Sequence, residues 1–338
     1  MRNSLKAFKI TSLIIFMVKK VLITGGAGFI GTSLAKNLIS KGLKVRLFDL
    51  IFTDRSFFQE QLGGSLEIEK VQGSILDRNA LSNAMKGCNY VAHLAALVGV
   101  RRTELERIDC LDINILGTVN VLESCLKERI EKVLFSSSSE VYGETDGIPI
   151  KEDSSKNPVS IYAITKLAGE EYIRACAGRY GFKYSIVRLF NIYGPGQVAD
   201  FVVPRFIKRV LNNEPPIVYG DGSQVRTFCF VEDVAEGISQ ALLNPNSDNQ
   251  IFNIGNDKEP ITMKDLAEKI IKVAKKDLKP KFIPLTESDR TPSREINKRI
   301  PSTDRARSLL NYNPSVSLED GIKKVIESNH IIDSLFED

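Results

Sequence analysis

The chain has 338 residues, of which 43% are hydrophobic and 26% are charged. These fractions are ordinary for a globular protein and exclude a disordered chain, a collagen-like fibre and a protein with several membrane spans. The formal net charge of +4, from 46 basic and 42 acidic residues, is too small an excess to predict a nucleic-acid binder, but it is compatible with an anionic small-molecule substrate.

The first segment of the chain is an apolar run over residues 8–18. It is shorter than the roughly 20 apolar residues that a membrane-spanning helix needs, and it lacks the small residues of a signal-peptide cleavage site. Residues 1–16 are either a native N-terminal extension or precede the true initiator, Met17. Nothing else in the sequence suggests export, so we expect a cytoplasmic protein that does not bind membranes.

From Lys19 onward, short apolar segments alternate with segments of helical periodicity. Such alternation predicts an α/β protein with a doubly wound, Rossmann-type parallel sheet covered by helices on both faces. The predicted strands cover residues 20–24, 43–48, 66–71, 90–94, 132–135 and 184–187, and the main helices cover residues 28–40, 112–127 and 162–180.

After Leu189 the pattern changes, because proline and glycine cluster and the strands become short. Helices over residues 203–211, 262–273 and 318–326 then predict a smaller α+β lobe, and a strand near residues 250–254 is expected to return to the large sheet. The predicted domains are residues 17–188 with about 229–255 for the large sheet, and residues 189–228 and 256–338 for the lobe.

A glycine-rich loop, TGGAGFIG, lies between the first predicted strand and the first predicted helix. Gly25, Gly28 and Gly31 permit a tight turn and close backbone approach, and the following N–H groups can bind a pyrophosphate. Asp49 ends the second predicted strand, where a carboxylate binds a ribose 2′-hydroxyl and repels a 2′-phosphate. This combination favours NAD over NADP.

Tyr162 and Lys166 stand four residues apart on a predicted helix and therefore share one face. An ammonium group lowers the pKa of a nearby phenol, which prepares the tyrosine to exchange a proton near neutral pH. A polar run over residues 136–143 comes after the fifth predicted strand, at the sheet edge where ligands bind in open α/β sheets. The Ser138 hydroxyl could hold a substrate oxygen there during hydride transfer.

These motifs together resemble the extended short-chain dehydrogenase/reductase family, in particular its nucleotide-sugar epimerases, dehydratases and decarboxylases. The resemblance runs from Met17 to about Ile326. It is carried by the glycine loop, Asp49, HLAA at residues 93–96, SSSEVYG at 137–143, YAITK at 162–166, RLFNIYGP at 188–195 and YGDGS at 219–223.

The resemblance implies an NAD-dependent enzyme in which the large domain binds NAD and the smaller lobe binds a nucleotide sugar, with no metal. It implies that Tyr162 is the acid/base, that Ser138 and Tyr162 contact the C4 oxygen of the sugar, and that Lys166 orients the nicotinamide ribose. The implied catalytic residues are Ser138, Glu140, Tyr162 and Lys166. The implied NAD contacts are Gly25, Gly28, Phe29, Ile30, Gly31, Asp49, Ser74, Ile75, Leu94, Ala95, Ala96, Asn114, Ser136, Tyr162 and Lys166. The implied substrate contacts are Val98, Ser138, Ser139, Glu140, Asn191, Val203, Phe206, Tyr219, Arg226 and Arg299.

Some positions depart from the family pattern. Ser74 stands where the family often has an aspartate near the adenine, and Thr227 replaces the aspartate of the family's Arg-Asp-Phe triplet. His93 would attract attention as a metal ligand or catalyst, but within this motif we expect it to pack beneath the cofactor.

The outcome of the reaction depends on the fate of a shared 4-keto intermediate. Plain 4-epimerases usually have a small residue where Glu140 stands, whereas 4,6-dehydratases have a glutamate, and UDP-glucuronate decarboxylases carry a Ser-Glu pair like Ser139-Glu140. The segment around Arg299 also resembles the decarboxylases. We therefore favour decarboxylation or dehydration of a nucleotide sugar, with a UDP-sugar as the expected substrate, over UDP-hexose or UDP-uronate 4-epimerisation. A non-catalytic NAD sensor is the alternative from another class.

Two predicted helices, over residues 112–127 and 162–180, occupy the positions where this family forms a four-helix dimer interface. Apolar residues on the first of them exceed what one buried face requires. The residues in question are Ile113, Leu116, Val119, Val121 and Leu122. We therefore expect a homodimer.

Overall fold

The computed structural model describes residues 18–52, 68–145, 147–287 and 296–328. The predicted extension over residues 1–16 lies outside the described residues. The described strands are β1 (Lys20–Thr24), β2 (Lys44–Asp49), β3 (Glu69–Gln72), β4 (Tyr90–His93), β5 (Lys132–Ser138), β6 (Lys183–Leu189), β7 (Ile192–Tyr193), β8 (Ile217–Tyr219), β9 (Val225–Arg226), β10 (Cys229–Phe230), β11 (Gln250–Ile254), β12 (Ile261–Thr262), β13 (Lys281–Ile283) and β14 (Lys298–Arg299).

The helices of the described chain include a short π-helix, Asp112–Leu116, at the start of the second predicted helix. The α-helices are α1 (Phe29–Ser40), α2 (Arg78–Met85), α3 (Val100–Leu105), α4 (Arg107–Leu111), α5 (Gly117–Lys127), α6 (Ile161–Tyr180), α7 (Val202–Leu211), α8 (Val231–Leu243), α9 (Met263–Val273), α10 (Asp304–Leu310) and α11 (Leu318–Ser328). No described helix is long and apolar enough to cross a membrane.

Seven parallel strands form the central sheet, in the order β11-β6-β5-β4-β1-β2-β3. The strand order reverses between β1 and β4, and in such sheets ligands bind outside the carboxyl ends of the strands at this point. The predicted fold class is confirmed, including the return of residues 250–254 to the large sheet beside β6.

Helices cover both faces of this sheet, as the alternating sequence pattern predicts. One hydrophobic cluster packs α1, α8 and α10 against the sheet, and a second packs α2, α5 and α6 against the other face. The middle strands are buried on both sides, which is why β1 reads as a continuous apolar run whose central residues are fully buried.

Strand β5 is longer than predicted and ends in three serines. Ser136, Ser137 and Ser138 continue the parallel register with β6 up to Leu189, because the backbone ladder supplies hydrogen bonds whatever the side chain. The sequence pattern indicated a loop here, since a cluster of serines usually forms a loop that satisfies its own backbone hydrogen bonds. The added residues carry the serine side chains to the edge of the sheet where a ligand binds.

The smaller lobe contains three two- or three-stranded sheets around its own hydrophobic cluster, to which α7, α9 and α11 contribute. In its three-stranded sheet, β9 lies between β12 and β14, and Arg226 is in register with Arg299. An isolated bridge between Ile150 and Pro301 joins this region to the loop after β5. The predicted domain boundaries stay a prediction.

Candidate active site

The glycine loop connects β1 to α1 at the crevice between β1 and β4. Gly25 has a φ of +70°, and a Cβ there would lie 2.8 Å from the backbone nitrogen of Ala95. A Cβ on Gly31 would collide with the carbonyl oxygen of Gly25. Both positions therefore require glycine. Ala95 belongs to the HLAA segment at residues 93–96, in which the family resemblance implies NAD contacts.

Helix α1 begins at Phe29. Its N-cap residue is Gly28, so no side chain of the N-cap residue binds the N–H groups of the first turn. The first-turn N–H groups, those of Phe29 and Ile30 included, have no carbonyl one turn earlier in the helix to bind. Such groups, together with the partial positive charge of the helix end, suit the pyrophosphate of a dinucleotide. The residues present therefore fit an NAD cofactor at this loop.

Asp49 ends β2 and reaches back to the loop. Its Oδ2 accepts a hydrogen bond from the Ala27 backbone N–H at 2.9 Å, and its Oδ1 accepts one from Leu50 at 2.7 Å. Burial raises the pKa of this carboxyl, while backbone N–H donors, those of Ala27 and Leu50 included, oppose that shift. Arg46, the nearby cation that could bind a 2′-phosphate, pairs instead with Glu69 at 2.5 Å. This arrangement is suited to the free ribose hydroxyls of NAD.

The predicted NAD contacts after β3 and β4 follow the carboxyl ends of two strands of the same parallel sheet. Leu94 donates its backbone N–H to Thr24 at 3.1 Å. Ser74 lies shortly after β3 and accepts a hydrogen bond from the Leu76 N–H at 3.2 Å. Ile75 is buried and packs against Gly117, where a Cβ would lie 2.5 Å from the Ile75 side chain. Ala96 comes next after Ala95, and Val98 is exposed.

Asn114 lies in the π-helix and is 3% exposed. Its Oδ1 accepts a hydrogen bond from the Leu97 N–H at 2.7 Å, and its Nδ2 donates to the Leu97 carbonyl at 3.1 Å and to the Thr165 hydroxyl at 3.2 Å. Thr165 in turn donates to the carbonyl of Tyr162 at 2.8 Å. Asn114, a predicted NAD contact, thus also holds the segment after β4 against the helix that carries Tyr162.

Tyr162, Lys166 and Ser138 meet at the carboxyl end of β5. The Ser138 side chain lies close enough to Tyr162 to influence the pKa of the phenol, the Lys166 Nζ donates to the Ser136 carbonyl at 2.8 Å, and the same Nζ lies 5.7 Å from the centroid of the Tyr162 ring. Lys166 is 3% exposed. The spacing of four residues brings both side chains to one helix face, as predicted.

The protonation behaviour of this pair differs from the expectation. Burial and the negative charge of Glu140 raise the pKa of Tyr162, and the nearby Ser138 side chain only partly offsets them. Burial lowers the pKa of Lys166 to about 8. The expected lowering of the tyrosine pKa by Lys166 is not found, because burial and the Glu140 carboxylate both disfavour the phenolate.

Glu140 comes two residues after Ser138, in the short helical turn Ser139–Tyr142. Its backbone N–H donates to the Ser138 hydroxyl at 3.1 Å, and its Oε2 accepts a hydrogen bond from Ser160 at 2.9 Å. The Nη1 of Arg299, a residue that is 4% exposed, lies 3.9 Å from the Glu140 Oε1. A carboxylate and a buried guanidinium therefore lie beside the serine–tyrosine pair, while Ser139 is buried beneath them.

The predicted substrate contacts in the smaller lobe occupy different environments. Val203 and Phe206 are 1% and 2% exposed in the hydrophobic core of the lobe. The apolar face of α7 packs in this core, and the predicted substrate contacts of Val203 and Phe206 stay a prediction. Asn191 donates its side-chain N–H to the Thr227 carbonyl at 3.0 Å.

Arg226 and Tyr219 are the remaining predicted contacts of the lobe. Arg226 donates to the carbonyls of Ile296 and Asn297 at 2.6 and 3.3 Å, so it holds the segment that leads to Arg299. Tyr219 lines a cavity of about 400 Å³ that several cationic side chains also line, and the Arg205 guanidinium lies 5.6 Å from the centroid of its ring. The cationic lining residues are Arg205, Lys208 and Arg209.

The sequence analysis missed two features of the site. Ser160 caps α6 by accepting a hydrogen bond from the Ala163 N–H at 3.1 Å while it holds Glu140; a serine directly before the helical pattern was the available signal. Glu170, one turn after Lys166 on the same helix, forms a fully buried ion pair with Arg188. Periodicity could have placed Glu170 on the buried face, but its partner lies on another element, β6.

Comparisons with known proteins agree with this geometry. The model of the NAD dependent epimerase/dehydratase family matches residues 21–255. The chain is 36% identical to UDP-N-acetyl-alpha-D-glucosaminuronate decarboxylase of Bacillus cytotoxicus, with 92% of this chain and 98% of that protein covered.

Two solved structures are similarly close. UDP-glucose 4-epimerase of Thermotoga maritima, solved with UDP-glucose, is 31% identical with a TM-score of 0.83, and the match covers 92% of this chain and 98% of that chain. UDP-glucuronic acid 4-epimerase of Bacillus cereus, solved with UDP-glucuronic acid and NAD, is 30% identical with a TM-score of 0.83 and coverages of 91% and 98%. These relatives are enzymes, which sets the sensor alternative aside.

The glycine loop, Asp49 and Ser138 stand at the carboxyl ends of β1, β2 and β5, three strands of the same parallel sheet. The family model covers more than half of the chain and includes all of these residues. The chain is therefore an NAD-dependent enzyme that belongs to the NAD dependent epimerase/dehydratase family.

Proposed function

We propose that this enzyme decarboxylates a UDP-uronate through a 4-keto intermediate. The observation that carries the proposal is the buried guanidinium of Arg299, 3.9 Å from Glu140 beside the serine–tyrosine pair. A guanidinium can bind a carboxylate through two N–H groups, and a uronate brings a carboxylate on C5, next to the carbon that is oxidised. The cavity beside Tyr219, where three cationic side chains stand against one acidic side chain, Glu214, supports an anionic nucleotide as the rest of the substrate.

Bound NAD supplies a hydride acceptor and donor and, in its oxidised form, a positive charge that favours the Tyr162 phenolate. Tyr162 takes the proton of the C4 hydroxyl as the C4 hydride leaves, and Ser138 holds the C4 oxygen. The resulting ketone is β to the carboxylate, so the bond between C5 and the carboxyl carbon breaks. Carbon dioxide departs, and the electron pair enters the enolate.

Glu140 then acts on the enolate. The carboxyl group, or a water that it binds, delivers one proton to C5, and the returning hydride and the Tyr162 proton restore the C4 alcohol. The products are carbon dioxide and a UDP-pentose or its amino-sugar counterpart, and one proton is consumed from solvent. Arg299 orients the uronate carboxylate while Glu140 remains close enough to reach C5.

The experiment incubates the purified full chain with UDP-glucuronate, UDP-N-acetylglucosaminuronate, UDP-glucose and dTDP-glucose, and measures the products by mass spectrometry. Loss of carbon dioxide from a uronate is the expected result. Arg299→Gln should abolish the loss of carbon dioxide. Arg299→Lys should retain part of this activity, because lysine keeps the positive charge but lacks the planar guanidinium that binds a carboxylate through two N–H groups. Loss of water from a hexose would overturn the proposal in favour of a 4,6-dehydratase.

A UDP-uronate 4-epimerase is the second candidate, because the B. cereus structure with UDP-glucuronic acid is similar over nearly the full chain. An epimerase would bind the same carboxylate but return the hydride to the other face of C4. It would release a C4 epimer of unchanged mass. Nuclear magnetic resonance spectra of the product distinguish this outcome from unreacted substrate.

We also propose that two copies of the chain pair through a surface formed by α3, α4, the π-helix and α6. Leu105 and Ile108 are 71% and 69% exposed, and Leu116 and Ile164 are also exposed. Val121 and Leu122, which were expected to exceed one buried face, are instead fully buried in the core of this chain. A homodimer by light scattering is expected, and Ile108→Asp should yield monomers. The cytoplasmic location stays a prediction.

A further inference from the structure

His93 ends β4 beneath the crevice, and both of its ring nitrogens have partners. It is 1% exposed. Nδ1 lies 2.7 Å from the Thr24 hydroxyl, and Nε2 lies 3.0 Å from the Thr118 hydroxyl. Thr24 is the residue before the glycine loop, and Thr118 lies in the first turn of α5. One imidazole thus links the end of β1 to the first turn of α5.

The neighbouring hydrogen bonds determine which nitrogen carries the proton. The Thr118 hydroxyl lies 2.6 Å from the carbonyl oxygen of Asn114, and a carbonyl can only accept, so the single proton of this hydroxyl points at Asn114. Thr118 must then accept its second hydrogen bond, and the donor is His93 Nε2–H. A neutral imidazole has one donor and one acceptor, so Nδ1 accepts from the Thr24 hydroxyl.

The chain of donors continues at Thr24. Its hydroxyl proton is committed to His93, and its oxygen accepts the backbone N–H of Ala95 at 3.4 Å. Each hydrogen bond in the chain is therefore donated in the same direction, from the Ala95 N–H through Thr24, His93 and Thr118 to the Asn114 carbonyl. Burial and the positive charge of Lys166 lower the pKa of His93 to about 3, so the ring is neutral wherever the enzyme works.

We propose that His93 is a positioning residue that, as the neutral Nε2–H tautomer, locks the glycine loop to the helix of Asn114. Asn114 in turn binds Thr165 at 3.2 Å, beside Lys166 on α6. The imidazole therefore sets the distance between the loop that binds the pyrophosphate and the helix that carries the catalytic tyrosine. The role concerns NAD alone and does not depend on which sugar is converted.

The tautomer is tested by nitrogen NMR on the full chain labelled with ¹⁵N-histidine. The sequence has two histidines, so His330→Gln leaves a single set of signals. We expect one pyridine-like nitrogen at Nδ1 and one protonated nitrogen at Nε2, unchanged between about pH 6 and pH 8, although an ordinary histidine titrates near pH 6.5. The opposite tautomer, or titration in this range, would overturn the proposal.

The positioning role is tested by binding of NAD to variants of His93 and its partner. Thr118→Val removes the hydroxyl and keeps the shape, whereas Thr118→Ser keeps the hydroxyl. We expect the dissociation constant for NAD, measured by calorimetry, to rise about tenfold in Thr118→Val and in His93→Phe, to stay within about twofold in Thr118→Ser, and to rise no further in the double variant, because residues in one network are not additive.

Wild-type NAD binding by both Thr118→Val and His93→Phe would overturn the positioning role. If His93→Phe fails to fold, the comparison of Thr118→Val with Thr118→Ser still decides, because a side chain needed only for packing would tolerate valine and lose little with it. The NMR experiment leaves His93 and its hydrogen-bond partners unchanged, so its result does not depend on whether the His93 and Thr118 variants fold.

Discussion

Arg299 Nη1 lies 3.9 Å from Glu140 Oε1, and this contact joins the smaller lobe to the central sheet. Arg299 belongs to β14, which pairs with β9 of the lobe, whereas Glu140 stands two positions after the last residue of β5. The bridge between Ile150 and Pro301 holds the two segments together. The smaller lobe thus contributes a charged side chain to a site that the large sheet otherwise builds.

Glu140→Gln keeps the size of the side chain and removes its charge. We expect oxidation at C4 to persist, visible as transient NADH absorbance, while product formation stalls at the keto stage because C5 lacks its acid/base. Glu171→Gln, on the exposed face of α6, is the control and should behave as wild type. Normal turnover of Glu140→Gln to a C4 epimer would instead identify a plain epimerase.

Tyr162→Phe removes the hydroxyl and keeps the ring. General acid–base groups contribute about 10²–10⁴-fold to rates, so we expect turnover to fall within that range while NAD binding is retained. Tyr180→Phe, at the exposed end of the same helix, controls for the loss of a tyrosine hydroxyl. Activity close to that of the wild type would show that another residue carries the proton.

The rate of C4 oxidation should depend on pH through the Tyr162–Lys166 pair. The reactive form, a phenolate beside an ammonium, carries one proton fewer than the fully protonated pair. Burial lowers the pKa of Lys166 to about 8 and raises that of Tyr162, so the pair loses its first proton near pH 8. The rate, measured by stopped-flow NADH absorbance, should rise with pH and level off above about 8.

Lys166→Met provides the control for this pH profile. Without the ammonium the phenol alone must ionise, so the rise should move to higher pH. A wild-type rate that declines as pH increases from about 6 to 8 would contradict the assignment, because the deprotonated pair would then be the inactive form.

Asp49→Asn should weaken discrimination between NAD and NADP. The carboxylate repels a 2′-phosphate, and the interaction energy of two unit charges 4 Å apart is about 4 kcal/mol at an effective dielectric constant of 20. We expect the ratio of the two dissociation constants to fall by about tenfold or more, equivalent to about 1.4 kcal/mol. A wild-type protein that prefers NADP in titration calorimetry would refute the role of Asp49.

Arg188→Met should destabilise the fold strongly. Arg188 and Glu170 are 1% and 0% exposed, and Glu170 also accepts a hydrogen bond from Ser137 at 2.5 Å. Removing one member of a buried pair costs about 3–5 kcal/mol, because the other charge stays buried without a partner. The free energy of unfolding, from urea titration, is the measurement.

Two further variants make this result specific. Arg174→Met breaks an ion pair with Glu171 on the exposed face of the same helix and should cost less than about 1 kcal/mol. The double variant Arg188→Met with Glu170→Leu should recover a large part of the loss. Equal losses in Arg188→Met and Arg174→Met would mean that the buried charge is compensated in another way.

Local pattern determined much of this protein. The apolar run of β1, the glycines after it and the helical stripe after those are neighbours along the chain, so their geometry comes from short-range sterics and hydrogen bonding. The four-residue spacing of Tyr162 and Lys166 is likewise a property of one helix. These features were sufficient to predict the parallel sheet, the NAD cofactor and the helix face that Tyr162 and Lys166 share.

Tertiary structure alone decided the environment of each of these groups. The pKa of Tyr162 depends on desolvation and on the charge of Glu140, and the direction of the His93 hydrogen bonds depends on hydroxyls of β1 and α5. The burial of Val203 in the core of the lobe depends on residues from several distant segments. Burial, electrostatic field and hydrogen-bond direction are set by atoms that meet only when distant segments pack, and no local pattern contains that information.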